Sequence, residues 1–239
     1  MAQDALDRLL NRLAWGGTLS ERERERIRRA VVRTRTFAPE AEIVPAHHPI
    51  DFSTVIISGM GCRQKILRTG ARQITAFQVA GDFCDLHSYM LKRMEESVVA
   101  ITDCEVGMVP HQEIDQIVEQ EPNLARCLWL YTLIDASIYR ERIVSIGRRS
   151  AQSRLAHLCC EMYLRLKTVG VADGFSYPLP LTQQAISDAM GMSLVHTNRT
   201  FARLRQEGLL TFANRCVTIH NWRELQRIAE FSPNYLHLD

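Results

Sequence analysis

The chain has 239 residues, 46% of them hydrophobic and 23% charged, with 29 Lys+Arg against 27 Asp+Glu for a net charge of +2. That is the profile of a globular protein of one or two domains with a sizeable core. It excludes a disordered or fibrous chain and a uniformly basic polymer binder, while leaving local charge open. Only Lys65, Lys92 and Lys167 are lysines, a bias that a GC-rich genome explains without any functional reading.

Cysteines stand at 62, 84, 104, 127, 159, 160 and 216, an odd number without a regular spacing or a C-x-x-C pair. Neither a disulfide framework nor a zinc ribbon follows from that pattern. Cys159 and Cys160 point about 100° apart on a helix and read as small buried residues. Residues 1–15 carry acids and lack the apolar stretch of a signal peptide. The longest mainly apolar run, Cys127 to Ile134, falls far short of the ~20 residues that span a bilayer. A cytoplasmic protein with no membrane partner is expected.

Residues 4–31 read as helical, with Leu6, Leu9, Leu10 and Leu13 on one face. The alternating charges from Glu21 to Arg29 suggest a solvated face with internal pairs. From about 41 to 110 the chain breaks into short strands: 52–57, 62–67, 72–77, 97–101 and 106–109, with turns at 58–59, 68–71, 81–82 and 102–104. Strands at this spacing suggest an antiparallel barrel or jelly roll. A short helix follows over 111–120, and Pro122 starts a long one. On it Leu124, Cys127, Tyr131, Ile134 and Ile138 form a heptad-like stripe, read as the interface of a homodimer, the alternative being a helix buried within a monomer. Trp129, Leu133 and Ala136 cover a neighbouring face. Gly147 is expected to interrupt that helix as a hinge, and 150–167 is again amphipathic.

The informative stretch is Leu181 to Leu210. Thr182 can cap a helix packed through Ala185, Ile186 and Ala189, and Gly191 supplies the turn. Ser193 caps a second helix packed through Thr197, Phe201 and Leu204. The three-residue connection is helix-turn-helix spacing, and a hairpin turning at Asn214-Arg215 would be a wing. The second helix presents Leu194, Val195, His196, Asn198, Arg199 and Arg203 to the major groove of double-stranded DNA.

With these residues in place, nearly the whole chain resembles the Crp/Fnr family of bacterial transcription regulators. The likeness rests on Ile57-Ser58-Gly59, the 68–71 turn, Gly81-Asp82-Phe83, Leu181 to Gln184, Ala189-Met190-Gly191 and Ser193 to Arg199. Asp82 to His87 and Val195-His196-x-Asn198-Arg199 are most similar to an α-proteobacterial subgroup. The resemblance implies an α+β chain with an antiparallel, jelly-roll-like β-roll sensor domain, a long dimerisation helix and a C-terminal winged helix-turn-helix. The expected bounds are 1–121 for the N-terminal helices and roll, 122–147 for the dimer helix and hinge, and 148–239 for the DNA-binding domain.

Relatives that bind cyclic AMP hold the ribose with the Glu of a Gly-Glu pair and the phosphate with an Arg before Ser or Thr. Here Asp85-Leu86, followed by His87, and Glu96 before Ser97 stand in those places, so the cassette is degenerate and no cyclic AMP binding is expected. The cysteines that carry an iron–sulfur cluster in Fnr-type sensors, placed ahead of the roll, are absent, since the first cysteine is Cys62. No cofactor is expected and the effector is left open. A haem- or redox-responsive regulator, with His87 or His111 as axial ligand, remains the alternative within the family. In the reading helix Arg199 can take guanine, Asn198 adenine or a phosphate, and His196 either; Leu194 and Val195 offer apolar contact. Thr182, Gln183 and Arg203 suit phosphates. RNA polymerase becomes a partner if the protein activates transcription.

An enzyme is not expected. His47-His48 near Asp51 invites a metal-dependent jelly-roll reading, but adjacent residues of a strand point to opposite faces. The charge is uneven: residues 140–180 carry seven Lys/Arg against three Asp/Glu, and 181–239 six against five. Two copies would bring this basic half to DNA, with a steep salt dependence.

Overall fold

A computed structural model describes residues 2–14 and 18–238. The helical stretch expected over 4–31 is two helices, α1 (Ala2–Leu13) and α2 (Glu21–Ala30), and residues 15–17 of that expectation lie outside the described residues. Ser20 starts α2: its hydroxyl accepts from the Glu23 amide at 3.3 Å while the Glu23 carboxylate accepts from the Ser20 amide at 2.8 Å. This reciprocal box is legible in Ser20-x-x-Glu23. The arginines of α2 do more than pair along it. Arg22 reaches Glu121, Arg26 Glu113 and Arg28 Asp7, all within 2.8 Å, and strap the helix to its neighbours.

Two antiparallel sheets form the roll. One has the order β1 (Arg33–Phe37), β7 (Cys104–Pro110), β3 (Phe52–Ser58). The other has the order β2 (Glu42–Val44), β6 (Ser97–Ala100), β4 (Met60–Ile66), β5 (Arg72–Val79). The β1 strand escapes periodicity because Arg-Thr-Arg-Thr has no apolar face; it is an exposed edge that follows the register of β7. Gly59 holds the β3–β4 turn at φ +89°, where a Cβ would stand 2.2 Å from the Asp103 carbonyl oxygen. Val44, Ile56, Cys84, Met94, Val98, Cys104 and Val106 fill the roll. A one-turn helix, α3 (Ser88–Leu91), leaves the cassette loop, and α4 (His111–Gln120) follows β7.

The long helix α5 (Pro122–Arg148) corrects the expected dimer stripe. Leu124, Cys127, Tyr131, Ile134 and Ile138 are all buried within the chain, none more than 6% exposed. Leu124, Cys127 and Tyr131 pack with Leu9, Leu10, Ile114 and Ile117 in one core, so this face is already covered. The outward face carries Arg126, Trp129, Leu133, Arg140, Ile143 and Gly147, with half-buried Ala136 completing alternate steps of three and four. Trp129 is 68% and Ile143 70% exposed. Nor does Gly147 break the helix, which runs on to Arg148; Ser150 caps the next one, α6 (Ala151–Thr168), by accepting from the Ser153 amide at 3.2 Å.

The remainder is β8 (Ser176–Pro178), α7 (Gln183–Met190), α8 (Leu194–Gln206), β9 (Leu210–Ala213), β10 (Cys216–Ile219), α9 (Trp222–Ala229) and a 3-10 turn at Pro233–Leu236. By contact the chain parts inside α5. One compact unit holds residues up to Lys65 and Ala76–Ala136, the other Ile66–Thr75 and Ser137–Leu238. In the second unit Arg142 of α5 and Arg165 of α6 converge on the buried Glu161 carboxylate at 3.0 and 3.4 Å, with the Tyr235 hydroxyl donating at 3.0 Å. Burial pushes Glu161 up, but Arg142, Arg165 and His157 beside it bring it below the ordinary carboxylate range. Arg154 gathers carbonyls instead: Ser145, Ile146 and Arg149 at the end of α5, and Met190 at the end of α7, at 2.6–3.3 Å. A guanidinium there satisfies the orphan carbonyls that two helix ends leave behind.

Candidate nucleic-acid interface

Local chemistry builds the helix-turn-helix as its sequence reads. The Thr182 hydroxyl accepts from the Ala185 amide at 3.0 Å, Gly191 turns the chain at φ +61°, and the Ser193 hydroxyl accepts from the His196 amide at 3.3 Å. Ala185, Ile186, Ala189 and Met190 of α7 are buried, as are Thr197, Thr200, Phe201 and Leu204 of α8. At 100° per residue those buried positions leave Val195, Arg199, Ala202 and Gln206 along the opposite face. His196 and Arg203 lie on one flank of that face, Asn198 and Arg205 on the other. Arg199 is exposed and has no hydrogen-bond or ion-pair partner among the described residues. Leu194 and Val195 are 40% and 60% exposed at the N-terminal end.

Arg203 is differently placed, because Glu207 one turn on accepts from its Nε at 2.8 Å and also takes the Gln152 amide. Ser193 serves as a cap, its oxygen already engaged. Thr182 is exposed with its O–H proton left to donate, while Gln183 is half-buried. On one flank Ser150, Ala151 and Gln152, at the start of α6, join His196, Arg199, Thr200 and Arg203 around a groove of about 460 Å³. On the other, Gln183, Asn198, Phe201, Arg205 and Phe212 line a smaller hollow of about 150 Å³.

The wing is a three-stranded sheet ordered β8-β10-β9, where the sequence offered a two-stranded hairpin. The β8 strand is only three residues long. Asn214 and Arg215 both have positive φ, +51° and +57°, the paired left-handed conformation of a type I′ hairpin turn. Arg215 thereby stands exposed at the tip. Arg205 and the start of α6 were not among the residues expected beside this face, and Arg215 was expected only in the hairpin turn; the two-turn spacing from Asn198 signals the first, and the Ser150 cap the second.

The degenerate cassette is buried. The Asp85 carboxylate accepts from the Thr54 amide at 2.5 Å, and burial pushes it up to about 7 against that bond and the nearby Arg63 charge. Leu86 is in the core, Glu96 is buried and Ser97 half-buried. His87 starts α3, lowered by burial and by Arg63. His111 lies 3.3 and 3.5 Å from the hydroxyls of Ser53 and Ser88, also lowered by burial. His47 and His48 occupy a turn, and among the described residues no group of three or more His, Cys, Asp or Glu can hold a metal. The buried guanidinium of Arg63 is bound to backbone carbonyls and to Asp135, and that of Arg12 to Asp82. Buried carboxylates and an occupied guanidinium do not fit a cyclic nucleotide, whose phosphate needs an available cation.

Residues 34–121 match the family description "Cyclic nucleotide-binding domain", and 153–228 match "Crp-like helix-turn-helix domain". A probable transcriptional activator of Rhizobium leguminosarum bv. viciae is 26% identical over 213 residues, 89% of this chain and 87% of that one. The nitrogen fixation regulation protein FixK of Bradyrhizobium diazoefficiens is 27% identical over 178 residues, covering 73% and 72% of the two chains. The solved structure of FixK2 from Bradyrhizobium japonicum shares the fold with a TM-score of 0.76 at 24% identity, over 84% of this chain and 98% of that one. No helix among the described residues is long and apolar enough to cross a membrane. The capped helix pair and its wing lie within residues that match the second description, and the roll within residues that match the first. The chain belongs to the Crp/Fnr family of DNA-binding transcription regulators.

Proposed function

We propose that the chain acts as a cytoplasmic homodimer that sets α8 of each copy into successive major grooves of a pseudo-palindromic operator. The observation that carries this reading is the outward face of α8, where exposed Arg199 has no partner among the described residues. Arg199 reads guanine, and Leu194 and Val195 contact thymine methyls. Asn198 reads adenine. Arg203, Thr182 and Gln183 hold phosphates, joined by Arg205 and the start of α6, whose first amides favour an anion.

The two copies meet along the outward stripe of α5, through Trp129, Leu133 and Ile143. That stripe repeats every seven residues, the spacing at which two helices pack side by side. An activating role would add RNA polymerase as a partner. The sensor roll takes no cyclic AMP, a reading supported by the buried carboxylates of Asp85 and Glu96.

Selection of bound DNA from a random duplex pool by the purified chain tests the proposal. It is expected to return two inverted half-sites whose centres lie one helical turn, ~10 bp, or a multiple apart. Enrichment of no sequence over the starting pool contradicts it.

A further inference from the structure

The largest fully buried side chain among the described residues is an arginine in the middle of the roll. Arg63 of β4 donates from Nε to the Cys84 carbonyl at 2.6 Å, from Nη2 to the Phe83 carbonyl at 3.5 Å, and from Nη1 to the Asp135 carboxylate of α5 at 2.7 Å. One turn earlier on α5, the Tyr131 hydroxyl accepts from the Phe83 amide at 2.9 Å and donates to the Phe83 carbonyl at 3.3 Å. Strand, cassette loop and long helix are therefore joined by one cluster of side chains. From the N-terminal helix, Arg12 pairs with the buried Asp82 at 2.8 Å and lies 5.6 Å from the Tyr131 ring centroid.

A guanidinium 1% exposed is costly to bury unless its charge and its hydrogens are matched. Here they are matched, by the Phe83 and Cys84 carbonyls of the cassette loop on one side and by Asp135 of α5 on the other. A ligand entering this cassette would have to break the Asp135 pair and strip two backbone carbonyls of their donor. In exchange it would meet the carboxylates of Asp85 and Glu96.

We propose that Arg63, clasped between the cassette backbone and Asp135, takes the place of an effector, holding α5 on the roll so that operator binding requires no small molecule. The inference rests on the reading of the chain as an operator-binding dimer. It adds that the sensor is permanently occupied by the protein's own side chain. Asp135→Asn is the informative change, since it removes the charge while keeping an oxygen within reach of Arg63. Tyr131→Phe removes only the hydroxyl bonds, and Arg63→Lys keeps the charge but not the fork that reaches both carbonyls.

The test measures operator affinity of the full chain by fluorescence anisotropy, alone and with cyclic AMP, cyclic GMP or a small-molecule cell extract. Hydrogen exchange of the amides of residues 122–136 is followed in parallel. The expected result is a wild-type affinity that no addition changes by more than about twofold. For Asp135→Asn, faster exchange over 122–136 is expected, with operator affinity lower by about 5- to 150-fold, the usual range for coupled sites. Arg63→Lys is expected to fall between the two.

A tenfold or greater gain of wild-type affinity with any addition overturns the proposal, as does an Asp135→Asn protein with wild-type exchange and affinity. A wild type that binds no DNA sequence under any condition refutes the operator-binding reading, and exchange in Asp135→Asn then decides the clasp by itself. A variant too unstable to purify is replaced by Tyr131→Phe, for which unchanged exchange over 122–136 counts against the clasp.

Discussion

Arg199→Ala is the perturbation that separates base reading from general attraction to DNA. Arg199 stands near the centre of the outward face of α8 with no intramolecular partner among the described residues, so its removal breaks nothing in the folded chain. Thermal stability should therefore stay within about 0.5 kcal/mol of wild type, as for an ordinary surface change. A good bidentate contact to guanine is worth ~1–3 kcal/mol of discrimination. Two half-sites are far enough apart for the losses to add, giving about 2–6 kcal/mol per dimer, a fall of roughly 30-fold to more than 10⁴-fold. No ion pair returns in the free protein to offset that loss. Anisotropy titrations against the selected operator, and against versions with each base pair replaced in turn, give the assay. The expected outcome is that the variant stops distinguishing bases at one position in each half-site while retaining its preferences elsewhere. A uniform loss of affinity with every base preference intact would show Arg199 to be a phosphate contact and refute the assignment.

Arg203→Ala should behave in the opposite way, lowering affinity without changing sequence preference and reducing the slope of log affinity against log salt by about 2 per dimer. Its loss should also be blunted, because the Arg203–Glu207 pair at 2.8 Å competes with any phosphate in the free protein; an unchanged salt slope counts against the phosphate role. Leu133→Asp should yield a folded monomer by sedimentation, whereas Leu124→Ala should cost about 2–5 kcal/mol in urea unfolding, since Leu124 is fully buried in the core of its own chain; the reverse pattern restores the inner stripe as the interface. Asp85 is held near 7 in the fold against about 3.9 unfolded, so its ionisation opposes folding, with stability falling as pH rises from about 4 to 7 and the full penalty present above that. Asp85→Asn should thus gain about 2 kcal/mol more over wild type at pH 8 than at pH 5.5, at about 1.4 kcal/mol per pH unit below 7, and an equal effect at both pH values contradicts the burial argument.

The helix-turn-helix was legible because its signals are local. Thr182, Gly191 and Ser193 each act on backbone within three residues, and the structure uses all three as caps or turn. The long helix was legible in extent and not in orientation. Both its faces are apolar, and periodicity cannot say which one the roll will cover; the N-terminal leucines and α4 cover the Leu124–Tyr131 side. The β1 strand carried no apolar alternation because it is an edge, and β8 was too short to register.

Charge was the least transferable inference. Of the seven basic residues in 140–180, Arg142, Arg149, Arg154 and Arg165 bond inside the fold, to Glu161, Glu141 and four backbone carbonyls. The excess that the sequence directs toward DNA is largely a scaffold for the ends of α5 and α7, and the salt dependence should be shallower than net charge implies. Arg63 gave no signal at all, since an arginine in a strand ordinarily faces water, and only the tertiary placement of Asp135 explains its burial.

The central claim is that two copies of α8 read one operator, and a hydroxyl-radical footprint of the purified chain on its selected DNA addresses it directly. Two protected segments related by a dyad are expected, with centres one helical turn, ~10 bp, or a multiple apart, and their protection should vanish together in Arg199→Ala. A single protected segment, or a paired footprint that survives Arg199→Ala unchanged at the same protein concentration, contradicts it.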